Sequence, residues 1–157
     1  MIWYHRAMIW KPHVTVAAVV ERDNRFLLVE EYADNPNRTV FNQPAGHLEK
    51  GESIIEAVIR ETLEETAWQF TPTALVGIYR WPHPQKDLTY LRFAFTGTVT
   101  GHNPVLSLDD GIVGTAWKTR DEIEALGNRL RSPQVLRGID DYLAGHRTPL
   151  DIFKDLD

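Results

Sequence analysis

Six glutamates and two basic residues lie between Glu49 and Glu65, so 17 residues carry −4 of a net charge of −5. The spacing predicts a helix over Ser53–Trp68. Ser53 with Glu56 three positions on is a capping box, and Ile55, Val58, Ile59, Thr62, Leu63 and Thr66 recur as one apolar face. Pro72 ends the pattern. Glu61, Glu64 and Glu65 stand at i, i+3 and i+4, so all three project from one side of that helix, beside the small Ala57. Like charges so placed oppose the helix by a few tenths of a kcal/mol per pair, and a surface that only had to be wet would alternate its signs. An oxygen-only donor set of this kind suits Mg²⁺ or Mn²⁺ rather than zinc. Arg60, one turn from both Glu56 and Glu64, can pair with either and hold the carboxylates in place.

The loop before the helix narrows the chemistry. Gly46 and Gly51 enclose four residues ahead of a helix start, as in a phosphate-binding loop, but Glu52 stands where such a loop needs lysine. A polyphosphate is accepted here only with cations between the carboxylates and its oxygens. That is metal-assisted phosphoryl chemistry.

The rest of the chain reads as strands with a few helices. Val14, Val16, Ala18 and Val20 belong to one strand and Phe26–Val29 to the next, joined as a hairpin through Arg22-Asp23-Asn24-Arg25. Val40–Gln43 is a short strand stopped by Pro44. Ala74–Tyr79 and Leu88–Val99 follow, with Trp81-Pro82-His83-Pro84 as a loop between them. Thr115–Trp117 is a last short strand, and Arg120–Leu126 and Pro133–Ala144 are helices. Strands and helices in no regular alternation predict an α+β fold with a mixed sheet between helices.

Composition removes other function classes. The chain has no cysteine, which excludes disulfide scaffolds, thiolate metal clusters and cysteine nucleophiles. Seventeen basic against 22 acidic residues argue against a stable nucleic-acid complex. No run is long and apolar enough for a membrane span, and no signal peptide is legible, so the expected location is the cytoplasm. Met1-Ile2-Trp3 is echoed by Met8-Ile9-Trp10, so Met8 is a second candidate start. Residues 1–10 read as an N-terminal extension and 11–157 as a single domain.

Gly46, Glu52 and Arg60-Glu61-Thr62-Leu63-Glu64-Glu65-Thr66-Ala67 together resemble the Nudix box, the signature of hydrolases of nucleoside diphosphates linked to another group. Thr62 departs from the aliphatic residue usual there, and Ala67 from glycine. Thr62 can pack its methyl and bond its hydroxyl back to the helix. Ala67 costs about 1 kcal/mol if the backbone needs positive φ. Lys11–Ala17, Asn42–Glu49, Leu91-Arg92-Phe93 and Leu130–Pro133 are similar to the NudJ-type phosphatase branch of that family.

The resemblance implies a Nudix α/β/α sandwich and hydrolysis of nucleoside di- and triphosphates and of thiamine-type pyrophosphates. It implies that Glu61, Glu64 and Glu65 hold Mg²⁺ with the Gly46 carbonyl, and that Glu52 supports Arg60. Glu61 or Glu64 is the expected base, with Asp109 or Asp110 as an acid from a late loop. His47, Trp81, Arg92 and Tyr79 are candidate substrate contacts, with Phe41, Arg131 and Lys11 behind them. Arg92 awaits either a phosphate or a structural ion pair, and Trp3, Trp10 and Trp117 are expected to pack. The expected partner is a small phosphorylated molecule, bound by a monomer or homodimer. The competing readings are a Nudix-fold sensor that binds nucleotide without turnover, and a hydrolase of another nucleoside-diphosphate-linked compound.

Overall fold

The computed structural model describes residues 8–156; Met1 and Trp3 lie outside the described residues. Strands β1 (His13–Val19), β5 (Ala45–His47), β6 (Gln69–Pro82) and β7 (Thr89–Thr100) form one four-stranded sheet in the order β5-β1-β7-β6. It is mixed: β1 runs antiparallel to β5 and parallel to β7, and β6 is antiparallel to β7. A second, antiparallel sheet centres on β3 (Arg25–Tyr32), paired with β2 (Glu21–Arg22), β4 (Thr39–Asn42) and β8 (Ile112–Lys118).

The hairpin expected between the first two strands is short. Asp23 and Asn24 have φ of 51° and 60°, the left-handed backbone a two-residue hairpin turn needs, but only β2 pairs across it. β1 and β3 separate into different sheets, because β1 finds better partners far along the chain in β5 and β7. A second difference concerns β6, which starts at Gln69, passes through Pro72 and includes Trp81 and Pro82. The register shifts between Pro72 and Ala74, and a proline is tolerated at such a bulge on an edge strand. The expected loop is therefore confined to the residues after Pro82.

Helix α1 (Ile54–Thr66) begins as the sequence indicates: the Ser53 hydroxyl accepts from the Glu56 N–H, and the Glu56 carboxylate accepts from the Ser53 N–H. It ends on Ala67 at φ 60°, the left-handed cap that favours glycine. Its buried side differs from the expected one. Ala57, Val58, Glu61, Thr62, Glu65 and Thr66 are buried, whereas Ile59 is exposed. The helix is turned so that two glutamates face the protein: β5 offers Glu65 the Ala45 N–H, and its Gly46 leaves room for the Glu61 carboxylate. Thr62 donates to the Val58 carbonyl at 2.8 Å, satisfying its hydroxyl within the helix.

The core lies on both faces of the mixed sheet. On β1, Val16 and Ala18 join Val58, Leu75 and Phe95 under α1. Val19 joins Phe41, Ala94 and Ile123 on the other face, with Val135 and Ile139 of α3 (Gln134–Leu143). That opposite placement fixes which β1 side chains face which layer. Short helix α2 (Arg120–Glu124) buries Ile123 in this second cluster. Phe41 is thus a core residue rather than a stacking platform, with Arg129 4.9 Å above its ring. Trp117 packs edge-on against Trp68, and the Arg22 guanidinium lies over both rings. Trp10 does not pack: it is 65% exposed.

Candidate active site

The three short elements β4, β5 and α1 build the site. Gly46 lies on β5 opposite the first buried turn of glutamates. A Cβ at residue 46 would come within 2.1 Å of the Glu61 carboxyl group, so only glycine lets that carboxylate reach the strand. Carboxylate oxygens of Glu61, Glu64 and Asp109 lie within 4.8 Å of one another. Asp109 is brought in by its own backbone, whose N–H donates to the Glu64 carbonyl at 3.0 Å. Asp110, one residue on, is exposed and is not in this cluster.

Glu65 is placed differently from its neighbours. It is buried, and its Oε2 accepts from the Ala45 N–H at 3.1 Å. Burial pushes its carboxyl up to about 9 despite that hydrogen bond, with Glu31, Glu61 and Asp109 adding to the rise. Burial also raises Glu61, against the pull of Arg60. The donors are all oxygen, several are crowded and desolvated, and a glycine leaves space beside them. A hard divalent cation fits that set.

Arg60 ties the remaining carboxylates together. Its Nε and Nη2 donate to the two Glu52 oxygens at 2.8 and 2.7 Å, and Nη1 donates to Glu61 at 2.9 Å and Glu64 at 3.0 Å. Nη2 also donates to the His47 carbonyl at 3.1 Å, which joins helix to strand. Glu56 is not a partner, because its carboxylate is spent on the capping box. Hydrogen bonds from Arg60 hold Glu52 below the usual carboxylate range.

A cavity of about 740 Å³ opens beside the carboxylates. Gly46, Glu61, Glu65, His47, Trp81, Arg92 and Arg131 all line it, whereas Tyr79 and Lys11 do not. Tyr79 instead donates its hydroxyl to Asp141 at 2.8 Å. Trp81 reaches the cavity from the end of β6, stacked on Tyr90 with 20° between the rings. His47 packs against His13, and burial together with His13 lowers its imidazole, so at neutral pH it is uncharged. Arg131 lies 3.8 Å from Glu31.

Arg92 makes no ion pair among the described residues. It is 6% exposed, and its terminal nitrogens reach only the amide oxygens of Asn42 at 3.4 Å and Gln43 at 3.2 Å. Burial presses it down to about 10, with Glu31 and Glu65 pulling the other way, so it stays charged at neutral pH. Thr15, Glu31, Asn42 and Tyr90 also line it and were not legible as site residues. For Thr15 and Tyr90 the one available signal was strand parity, which becomes useful only once the pairing of β1 with β7 is known.

Comparison with known proteins places these features in a family. The family model described as the NUDIX domain matches residues 11–138. Phosphatase NudJ of Escherichia coli K12 is 39% identical over 147 residues, covering 94% of each chain. A NUDIX hydrolase structure from Nitrosomonas europaea is 51% identical with a TM-score of 0.90, covering 93% of this chain and 98% of that one. The structure of a UDP-X diphosphatase superposes with a TM-score of 0.71 at 18% identity, over 93% of this chain and 70% of that one, a likeness of fold alone.

Proposed function

The chain belongs to the Nudix family of phosphohydrolases acting on pyrophosphate bonds, and from that premise we propose that it is a Mg²⁺-dependent hydrolase of nucleoside di- and triphosphates and of related pyrophosphates such as those of thiamine or hydroxymethylpyrimidine. The observation that carries this reading is the convergence of Glu61, Glu64 and Asp109 beside a glycine strand, at the mouth of a cavity with an arginine in its wall.

Glu61, Glu64 and Glu65 would hold the ion with the Gly46 carbonyl, and Asp109 would join them. Mn²⁺ suits the same oxygens. The ion, once bound, supplies a Lewis acid for phosphorus and a water of lowered pKa. The protein's part is positional. Arg60 fixes the directions of Glu61 and Glu64 and keeps them from separating. Glu64, 39% exposed at its side chain, is the better placed of the two to take a proton from water, since the Glu61 side chain is only 10% exposed. The lining of the cavity keeps the rest of the substrate in one orientation, which turns a bimolecular attack into an intramolecular one.

The test is phosphate and pyrophosphate release from a panel of nucleoside di- and triphosphates, nucleotide sugars and thiamine pyrophosphate, with and without Mg²⁺. Metal-dependent turnover of the di- and triphosphates supports the proposal, and the product identifies the bond. No release from any of them, in protein that still binds Mg²⁺, overturns it in favour of a sensor.

A further inference from the structure

Two buried side-chain polar atoms have no hydrogen-bond partner among the described residues: Thr15 Oγ1 and Arg92 Nε. They are neighbours. Thr15 on β1 is the register partner of Arg92 on β7 and, on its other side, of His47 on β5, so the three side chains share one face of the sheet. Both residues line the cavity. Two residues back along the strands, His13 pairs with Tyr90 and Tyr90 with Trp81, which puts an aromatic row on that same face. The Tyr90 and Trp81 rings are stacked 5.8 Å apart.

Leaving a buried donor unpaired costs about 1–3 kcal/mol. Two such atoms at adjacent register positions, each on a residue more than nine-tenths buried that lines one cavity, are poorly explained as packing. Apolar residues of similar size would fill the same space without that penalty. The chemistry of the pair is specific. Arg92 Nε–H can only donate, and the Thr15 hydroxyl beside it can donate to the same atom. Both terminal nitrogens of Arg92 are already engaged by Asn42 and Gln43, so the guanidinium does not present the free two-pronged face that grips phosphate. One N–H and one O–H match a single acceptor atom. The aromatic row lies about 7 Å away along the strands, a separation that half of a stacked ring, an acceptor on its edge and one hydrogen bond together span.

We infer that Thr15 and Arg92 form a specificity subsite that reads a hydrogen-bond acceptor on the edge of the substrate's planar ring, a carbonyl oxygen or ring nitrogen, while the ring lies against Tyr90 and Trp81. This deepens the hydrolase reading and rests on it for turnover, but it assigns a ring-bearing substrate rather than a bare polyphosphate.

The experiment compares kcat/KM for uridine triphosphate, whose ring carries carbonyl oxygens, with that for inorganic tripolyphosphate, which has no ring. Parent, Thr15→Val, Thr15→Ser and Arg92→Met are measured, with calorimetric titration of uridine monophosphate into each. Thr15→Val and Arg92→Met are expected to lower the ratio of the two kcat/KM values at least tenfold and to weaken the monophosphate by a similar factor; Thr15→Ser restores both. Equal losses on the two substrates would mean the pair touches phosphate, and no loss on either would mean it only packs; both results overturn the inference. Should the parent hydrolyse neither substrate, the hydrolase reading fails separately. The monophosphate titration then decides the subsite: weaker binding by Thr15→Val supports it, and equal binding overturns it.

Discussion

Gly46 and Glu61 are fitted to each other: a single added carbon on residue 46 would lie 2.1 Å from the glutamate's carboxyl carbon. The contact couples a strand residue to a helix residue, and neither can move without the other, since Arg60 also bridges Glu61 to the strand through the His47 carbonyl. Replacing Gly46 by alanine should therefore push Glu61 away from the carboxylate cluster. We expect a loss of at least tenfold in kcat and a matching weakening of Mg²⁺, with a melting temperature that falls only modestly. Isothermal titration with Mg²⁺ checks it, and wild-type affinity in that variant would refute the fit.

Glu65→Gln keeps an oxygen to accept from the Ala45 N–H while removing a carboxyl whose ionised form burial disfavours. The expected outcome is a folded protein, at least as stable without metal as the parent, with hydrolysis reduced a hundredfold or more. Saturating Mg²⁺ should raise the melting temperature of the parent and leave that of the variant almost unmoved, because only the state that binds the ion is stabilised by it. Equal product release by the two proteins would remove Glu65 from the site.

Ala67 occupies a left-handed cap at φ 60° yet is 1% exposed. Glycine there would relieve about 1–2 kcal/mol of backbone strain. It would also lose a buried methyl, about 0.8 kcal/mol, and gain chain entropy in the unfolded state, about 0.4–1 kcal/mol. The opposing effects nearly cancel. Ala67→Gly should change stability by less than about 1 kcal/mol in urea unfolding. A larger gain would show that the methyl packs poorly.

Tyr79 donates to Asp141, which also receives Arg137 at 3.0 Å. Burial works to raise the Asp141 carboxyl, but the Tyr79 and Arg137 hydrogen bonds outweigh it and hold it below its ordinary 3.8. A depressed carboxyl stabilises the fold above its unfolded value and ceases to as pH falls through the folded value. Tyr79→Phe should cost about 1 kcal/mol at neutral pH. The gap between variant and parent should close below the ordinary aspartate range. Urea midpoints measured at pH 7 and at pH 3 test this, and a gap that widens in acid would contradict it.

The site was most legible where its spacing is local. Glu61, Glu64 and Arg60 lie within one turn of each other, and Ser53 with Glu56 marks the helix start, so side-chain geometry follows from the period of the helix alone. Gly46 and Glu52 were tied to them by the family pattern. The orientation of α1 was less legible: Ile59 reads as apolar face yet is exposed, because burial was decided by what β5 offers the glutamates. Trp81 read as loop between prolines, whereas twelve register pairs with β7 hold β6 extended through it. Thr15 was not legible because it meets Arg92 only through a pairing between distant segments.

The parallel pairing of β1 with β7 also bears on how the molecule assembles. The β6–β7 hairpin closes a short loop and can zip locally, whereas β1 must wait for β7, with α1 and most of the strands lying between them in the chain. Loop-closure entropy places such a junction late in folding. Since β1 is also the only strand paired with β5 among the described residues, the glycine strand completes its pairing with it. A nascent chain therefore has its glutamate helix before it has the opposite wall of the carboxylate site, and hydrolytic competence comes with the last strand rather than with the first compact state.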